Sequence, residues 1–272
     1  MGKFYQWHLS FLFVLLISNS GKAQHDFCKN EKWKDSAANV LFQQNYMSNR
    51  WQYICDSILT IWPEYDYIWQ LKAMPRFKGG YYDCASLDKA VSINPEMRLP
   101  YRAFMKCTFA KDYFGAIVDL KAAEALIKGG GLMDHSFSFY LGLCYLGIEQ
   151  ADSAVRYFEK DIAHQSQTMG KGNEHYNSLF YLGLSYLQAN QVSKAEKYLK
   201  ASIKGYSRFP EPNFYLGKLR VLKNEKKEAK RDFEQSKKFL LEGATMNEDN
   251  NFYVDYPFQI GLSDIEKELE QQ

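Results

Sequence analysis

Three copies of one short pattern of aromatic, aliphatic and small residues set the period of the second half of the chain. The pattern reads YLGLCYL from Tyr140 and YLGLSYL from Tyr181, and begins again with YLG at Tyr215, so the copies start 41 and 34 residues apart. An alanine follows the leucine of each copy by 13 residues, and a large apolar residue follows that alanine by four. These pairs are Ala154 with Phe158, Ala195 with Leu199, and Ala229 with Phe233. Such self-similarity indicates a repeat protein.

Each copy predicts a pair of antiparallel helices. On a helix of 3.6 residues per turn, Leu141 and Tyr145 share one side, and Ala154 and Phe158 lie one turn apart on a second helix. Gly142 and Ala154 are small enough to let two helix backbones approach closely. Each pair leaves one apolar side uncovered, and stacking against the next pair buries it, which is the arrangement of a solenoid.

These residues resemble the tetratricopeptide repeat, a 34-residue helical hairpin with Leu-Gly and Tyr on its first helix and Ala and Phe on its second. The resemblance implies an all-α fold, a right-handed superhelical solenoid of about six antiparallel helix pairs over residues 24–245, with a C-terminal capping helix. Weaker units precede the best-matching ones, which cover about residues 135–168, 176–209 and 210–243. Two residues depart from the pattern: Asp161 replaces a small residue, and Arg220 replaces the first-helix Tyr.

The N-terminus differs from the repeats. Lys3 precedes an apolar run from Leu9 to Ile17, and a small and polar stretch then leads to Gln24. This is the layout of a secretory signal peptide, so residues 1–23 are predicted to be removed during export to the periplasm or the medium.

The C-terminal residues 246–272 form a predicted tail. A polar break from Asn247 to Asn251 separates it from the repeats. Ser263 and Glu266 make a capping-box signature, which predicts the start of a short final helix.

Charge and hydropathy exclude some partners. The 272 residues include 34 Lys and Arg against 32 Asp and Glu, and loss of Lys3 and Lys22 with the leader leaves 32 of each sign. A zero net charge argues against a nucleic-acid partner. The apolar run is shorter than the roughly 20 residues that span a bilayer, and no longer run follows it, so no transmembrane segment is predicted.

Side chains suited to catalysis are sparse. The sequence has no helical histidine pair at i, i+4, no Cys-x-x-Cys and no Gly-x-Ser-x-Gly elbow. We therefore predict no enzymatic activity, no catalytic or cofactor-binding residues, and no metal ligands. His164 and His175 flank the same insertion and could share a metal, but solvated loop histidines are the favoured interpretation.

The five cysteines are Cys28, Cys55, Cys84, Cys107 and Cys144. An exported chain meets an oxidising compartment, and an odd number leaves at least one thiol unpaired. Buried free thiols throughout are the favoured interpretation. If a bridge exists, Cys28 with Cys55 would join the first, weakest unit.

The resemblance implies a site for a partner, because the first helices of such repeats line a concave face that often holds peptides. The matching positions form the predicted peptide-binding groove: Phe139, Leu143, Phe180, Leu184, Phe214 and Lys218. Two interpretations stay open. Either this apolar stripe is an exposed interaction site, or the last helices or the tail from Phe252 to Ile260 cover it.

The predicted function is that of a non-enzymatic, exported scaffold or adaptor that binds a protein or peptide partner in the cell envelope. The alternative is a glycan or small-ligand binding module that uses exposed aromatic rings. That alternative requires rings such as Trp62, Trp69, Tyr81 or Tyr82 to cluster outside the core.

Overall fold

The computed structural model describes residues 31–271, and nearly all of the regular structure in them is helical. The predicted signal peptide and Cys28 lie outside these residues. The described part holds 13 α-helices, which confirms the all-α prediction. They are α1 Glu31–Phe42, α2 Asn49–Ile61, α3 Asp66–Lys78, α4 Cys84–Ile93, α5 Pro95–Phe104, α6 Tyr113–Leu126, α7 Phe137–Gly147, α8 Ala151–Met169, α9 Tyr176–Gln188, α10 Val192–Gly205, α11 Pro210–Leu222, α12 Lys226–Leu241 and α13 Leu262–Glu270.

Two short irregular elements interrupt the helices. A π-helical turn, Met105–Ala110, continues α5. The two-residue strands β1, Gly131–Leu132, and β2, His135–Ser136, pair antiparallel immediately before α7.

The described residues form two compact units. The first contains the described residues up to Arg76 together with Asp83–Asn94, and therefore α1, α2, most of α3, and α4. Its core includes the buried side chains of Trp51 and Trp62. The Trp51 indole donates a hydrogen bond of 2.9 Å to the carbonyl of Leu71, which ties α2 to α3.

The second unit contains Phe77–Tyr82 and the chain from Pro95 onward, and its helices follow one another as pairs from α5 with α6 to α11 with α12. Gly142 of α7 faces Phe158 of α8, and a Cβ on Gly142 would lie 2.7 Å from the ring of Phe158. The corresponding Gly183 and Gly217 face Leu199 and Phe233 just as closely. These glycines lie at the contact between the two helices of a pair, as the pattern predicts.

Arg220 keeps a contact between paired helices by a different chemistry. Tyr186 of α9 stacks on Tyr198 of α10 with ring centroids 5.5 Å apart. In the next pair, Arg220 and Asp232 occupy the matching positions, with Arg220 Nε 3.4 Å from Asp232 Oδ2. An ion pair thus replaces an aromatic pair at this position of the repeat.

Asp161 is buried but fully partnered. Its carboxylate accepts hydrogen bonds from the hydroxyls of Ser136 and Ser178, both at 2.7 Å, and from Gln165 Nε2 at 2.8 Å. Buried polar groups are tolerated when they are hydrogen-bonded in this way. Asp161 therefore joins α8 to the start of α7 and to α9, where an ordinary repeat has only small side chains.

Two boundaries differ from the sequence prediction. His164, interpreted above as a loop histidine, lies in α8, because that helix spans 19 residues and ends at Met169. The predicted capping box of Ser263 and Glu266 is wrong, because α13 begins one residue before Ser263. Its N-cap is Gly261, whose amide donates to Asp264 Oδ2 at 2.8 Å.

Candidate functional site

The predicted groove residues lie in the interior of the second unit. Phe139, Leu143 and Phe180 have 0% exposed surface, and Leu184 and Phe214 have 5%. The interpretation that they form an open apolar surface is therefore wrong for this state of the protein. Lys218, the sixth predicted residue, stays partly exposed and forms an ion pair of 2.8 Å with Glu268.

Neighbouring repeats and the C-terminal residues cover these side chains. The ring of Phe139 in α7 lies 5.7 Å from that of Tyr181 in α9, and Phe180 in turn lies 5.8 Å from Tyr215 in α11. Phe214 belongs to the last repeat, and it packs in one cluster with Ile260 and with Ile265 of α13. The second of the two open interpretations, a covered stripe, describes this structure. Neighbouring repeats cover Phe139 and Phe180, and the C-terminal residues cover Phe214.

Residues 244–261, here called the C-terminal segment, lie against α9 and α11, the first helices of two repeats. Tyr181 of α9 donates a hydrogen bond of 2.9 Å to the carbonyl of Pro257, and Tyr215 of α11 donates one of 3.1 Å to the carbonyl of Phe258. The buried apolar side chains of the segment include those of Met246, Tyr256 and Ile260. The segment is therefore held as an irregular peptide, without helix or strand of its own.

Further contacts hold both ends of this segment. Tyr176 donates a hydrogen bond of 3.3 Å to the carbonyl of Asn247, and Lys111 donates to the carbonyl of Asp255. The ammonium group of Lys78 lies 4.2 Å from the ring centroid of Tyr253. Four of the donors, Lys111, Tyr176, Tyr181 and Tyr215, thus reach main-chain carbonyls rather than side chains.

Glu211, in the first turn of α11, is a buried carboxyl near the end of the C-terminal segment. It has 0% exposed surface, and neither carboxylate oxygen has a hydrogen bond of good geometry in the described structure. Burial raises the pKa of Glu211 to about 7, although the backbone amides of Glu211 and Ile260 counteract the shift in part. This group changes charge near neutral pH.

A polar cluster joins the segment to β2 and to α9. Glu248 Oε1 lies 2.9 Å from His135 Nε2 and also accepts a hydrogen bond from Asn177 Nδ2. The rings of His135 and His175 are 5.2 Å apart and nearly perpendicular. Burial, and then the neighbouring His135, lower the pKa of His175.

Sequence reasoning considered a metal shared by His164 and His175 but favoured solvated loop histidines, whereas His175 is half-buried. His164 is exposed on α8, whereas His135 and Glu248 each offer a ligand atom within 4.8 Å of one on His175. A signal for this pairing does exist in the sequence. His135 and His175 precede Tyr140 and Tyr181 by five and six residues, so both stand at the start of first helices of neighbouring repeats.

Solved structures share this arrangement of helices. PilW, described as a widely conserved type IV pilus biogenesis factor, is similar over 79% of this chain and 93% of its own, with 15% identity and a TM-score of 0.59. YrrB, described as a TPR protein with an unusual peptide-binding site, is similar over 68% of this chain and 91% of its own, with 12% identity and a TM-score of 0.50. A tetratricopeptide repeat protein from Parabacteroides merdae is similar over 92% of this chain and 82% of its own, with 11% identity and a TM-score of 0.53. The chain has the tetratricopeptide-repeat fold.

The likeness of these tetratricopeptide-repeat proteins to this chain is one of structure. No protein-family model and no curated protein sequence matches the chain. Within residues 31–271, none of the tetratricopeptide-repeat helices combines the length and apolarity needed to cross a bilayer.

The cysteines of the tetratricopeptide repeats are mostly buried. Cys55, Cys107 and Cys144 are buried free thiols, and burial raises the pKa of Cys55 to about 12. Cys84 is exposed, so the prediction of burial for every cysteine is wrong. It precedes the first apolar position of α4, where the helix begins at the surface. Cys28, the suggested partner of Cys55, lies outside the described residues.

The aromatic rings needed for the glycan-binding alternative do not share one environment. Trp62 has 3% exposed surface, and Trp69 packs against the core of the first unit. Tyr81 and Tyr82 are exposed, at 76% and 50%. Trp62 and Trp69 therefore belong to the core of the first unit.

Proposed function

We propose that this protein is a non-enzymatic scaffold or adaptor whose tetratricopeptide repeats bind an extended peptide segment of a partner protein. The observation that carries the proposal is the C-terminal segment, a peptide without helix or strand that the first helices of the repeats already hold. A surface that holds one irregular peptide has the shape and the donors to hold another.

The hydrogen bonds to the segment depend little on its sequence. Tyr181 and Tyr215 donate to carbonyl oxygens, which every peptide chain possesses. Main-chain hydrogen bonds of this kind supply affinity, and pockets for individual side chains supply specificity. Those pockets accept Met246, Tyr256 and Ile260, so the partner segment is expected to carry large apolar or aromatic residues at a similar spacing.

Two of the predicted groove residues belong to this proposed site. Phe214 packs with Ile260 and Ile265, and Lys218 pairs with Glu268. A partner that displaces the C-terminal residues would contact both. Phe139, Leu143, Phe180 and Leu184 lie beneath and shape the surface without being exposed on it.

The cell envelope is the proposed location. The signal-peptide pattern of residues 1–23 supports export. A structural neighbour, PilW, is described as a type IV pilus biogenesis factor, and another, YrrB, as having an unusual peptide-binding site. The N-terminus of the protein purified from its native host tests this part: mass spectrometry should find a chain that starts at or near Gln24, and an intact leader would contradict export.

Peptide exchange tests the binding site itself. A protease site inserted after Gly243, which is exposed at the end of α12, allows residues 244–272 to be cut from the repeats after folding. Fluorescence anisotropy then follows a labelled peptide of residues 244–272. The cut protein should bind the labelled peptide, and the uncut protein should bind it at least about tenfold more weakly, because the tethered segment competes at high effective concentration.

A matched pair of variants makes the result specific. Tyr215→Phe removes one donor to the segment and should weaken binding of the labelled peptide by roughly 0.5–1.5 kcal/mol. Tyr53→Phe removes the hydroxyl of an exposed ring in the first unit and should change nothing. Failure of the cut, folded protein to take up labelled peptide within a day would exclude an exchangeable peptide site.

A further inference from the structure

We propose that His135, His175 and Glu248 form a binding site for a divalent transition metal of the Zn²⁺ type. One ligand atom from each residue lies within 4.8 Å of the other two. His135 is in β2 at the start of α7, His175 is the N-cap of α9, and Glu248 belongs to the C-terminal segment. Three separate parts of the second unit therefore bring their ligands to one point.

The spacing suits a tetrahedral ion. Bonds of about 2.0–2.2 Å to nitrogen and oxygen put neighbouring ligands of Zn²⁺ about 3.3 Å apart. His135 Nε2 and Glu248 Oε1, at 2.9 Å, are close to that distance already. The two ligand atoms that are furthest apart must move closer by no more than about 1.5 Å, which a rotation of the His175 ring can supply.

The ligand types select the metal. Two imidazoles and one carboxylate suit Zn²⁺ and neighbouring transition metals, whereas Ca²⁺ and Mg²⁺ require sets of oxygen ligands. The backbone amide of Asn177 donates a long hydrogen bond of 3.4 Å to His175 Nδ1, which leaves Nε2 of that ring to bind a metal. Asn177 also orients Glu248 through its side-chain amide, the supporting role that neighbours of metal ligands usually have.

Two buried polar atoms at the same place have no partner in the described structure. His135 has 5% exposed surface, yet its Nδ1 has no hydrogen-bond partner in the described structure. Asn177 Oδ1, on the residue that holds Glu248, is also buried and without a partner. Such atoms are few in native proteins. Because His135 Nδ1 is not the ring nitrogen that faces Glu248, the ion is inferred from the placement of the three ligands.

Residues adjacent in the chain to two of the ligands line a cleft. A cleft of about 380 Å³ is lined by Tyr176 and Asn247, the residues next to His175 and Glu248 in the chain. A metal bound there would fasten the C-terminal segment to α7 and α9. The proposal does not depend on the proposed peptide exchange, since the ion would hold the segment whether or not a partner competes with it.

Titration of the full chain with Zn²⁺ tests the site. After treatment with EDTA and its removal, isothermal titration calorimetry should show one ion bound per chain. Thermal unfolding should shift upward by about 5–10 °C when free Zn²⁺ exceeds the dissociation constant a hundredfold. Glu248→Gln keeps the size of the side chain and removes the anionic ligand, and it should lower the affinity for Zn²⁺ at least about tenfold. His135→Gln should do the same.

His164→Ala, which removes an exposed histidine outside the cluster, is the matched control and should bind Zn²⁺ as the unaltered chain does. Circular dichroism of each variant establishes that it is folded, and Co²⁺ in place of Zn²⁺ reports the ligands by its visible absorption. Absence of one-to-one binding by the unaltered chain would overturn the proposal. So would equal affinity in folded Glu248→Gln, or loss of binding in His164→Ala.

Discussion

Replacing Glu211 by Gln should change the pH dependence of stability in a way that follows from the burial of one carboxyl group. The side chain has 0% exposed surface, and burial raises its pKa from the ordinary 4.5 to about 7. Each pKa unit corresponds to about 1.4 kcal/mol. Ionising Glu211 in the folded protein therefore costs about 3 kcal/mol relative to ionising it in the unfolded chain.

The sign of the effect follows from proton binding. Between about pH 4.5 and pH 7 the folded protein keeps the proton of Glu211 while the unfolded chain loses it, so stability falls as pH rises through this range. Glutamine has no such proton. The free energy of unfolding of Glu211→Gln relative to the unaltered protein should thus be about 2–3 kcal/mol higher at pH 8 than at pH 5.

Urea unfolding, followed by far-ultraviolet circular dichroism at half-unit steps from pH 5 to pH 8, measures this difference. The glutamine amide needs hydrogen-bond acceptors of its own, which adds a cost that is the same at every pH. Only the pH-dependent part is therefore informative, and other titrating groups cancel because both proteins contain them. Glu234→Gln, an exposed change on α12, should give a curve parallel to that of the unaltered protein. A parallel curve for Glu211→Gln would refute the reasoning.

Two further substitutions test the helix contacts. Gly183→Leu should destabilise the protein by at least about 1–3 kcal/mol, since even a Cβ there would lie 2.9 Å from Leu199 Cγ. His164→Ala, at an exposed position, should change the free energy of unfolding by no more than about 0.5 kcal/mol. Equal melting temperatures for the two variants would contradict the predicted register of the repeats. Phe180→Glu should unfold the repeats, because it places a charge at a side chain with 0% exposed surface. A native circular-dichroism spectrum for that variant would show that Phe180 can reach solvent.

The sequence alone was enough to predict the repeats and the contacts within each helix pair. Gly142, Gly183 and Gly217 recur at fixed distances from Phe158 and its counterparts. Contacts inside one hairpin join residues about 16 positions apart, so the periodicity of one segment specifies them. Even the departures at Asp161 and Arg220 were visible as breaks in that periodicity, although their partners were not.

Only the tertiary structure decided what lies on the first helices. Glu248 meets His135 across 113 residues, and Pro257 meets Tyr181 across 76, between a repeat and a segment that has no repeat pattern. Periodicity carries no information about such a meeting, because the segment is not a copy of anything else in the chain. The apolar stripe of Phe139, Phe180 and Phe214 was therefore recognisable from sequence, but its burial was not. The same side chains can line an open groove or a covered one, and the choice depends on how neighbouring repeats pack and, at Phe214, on where the C-terminal residues fold back.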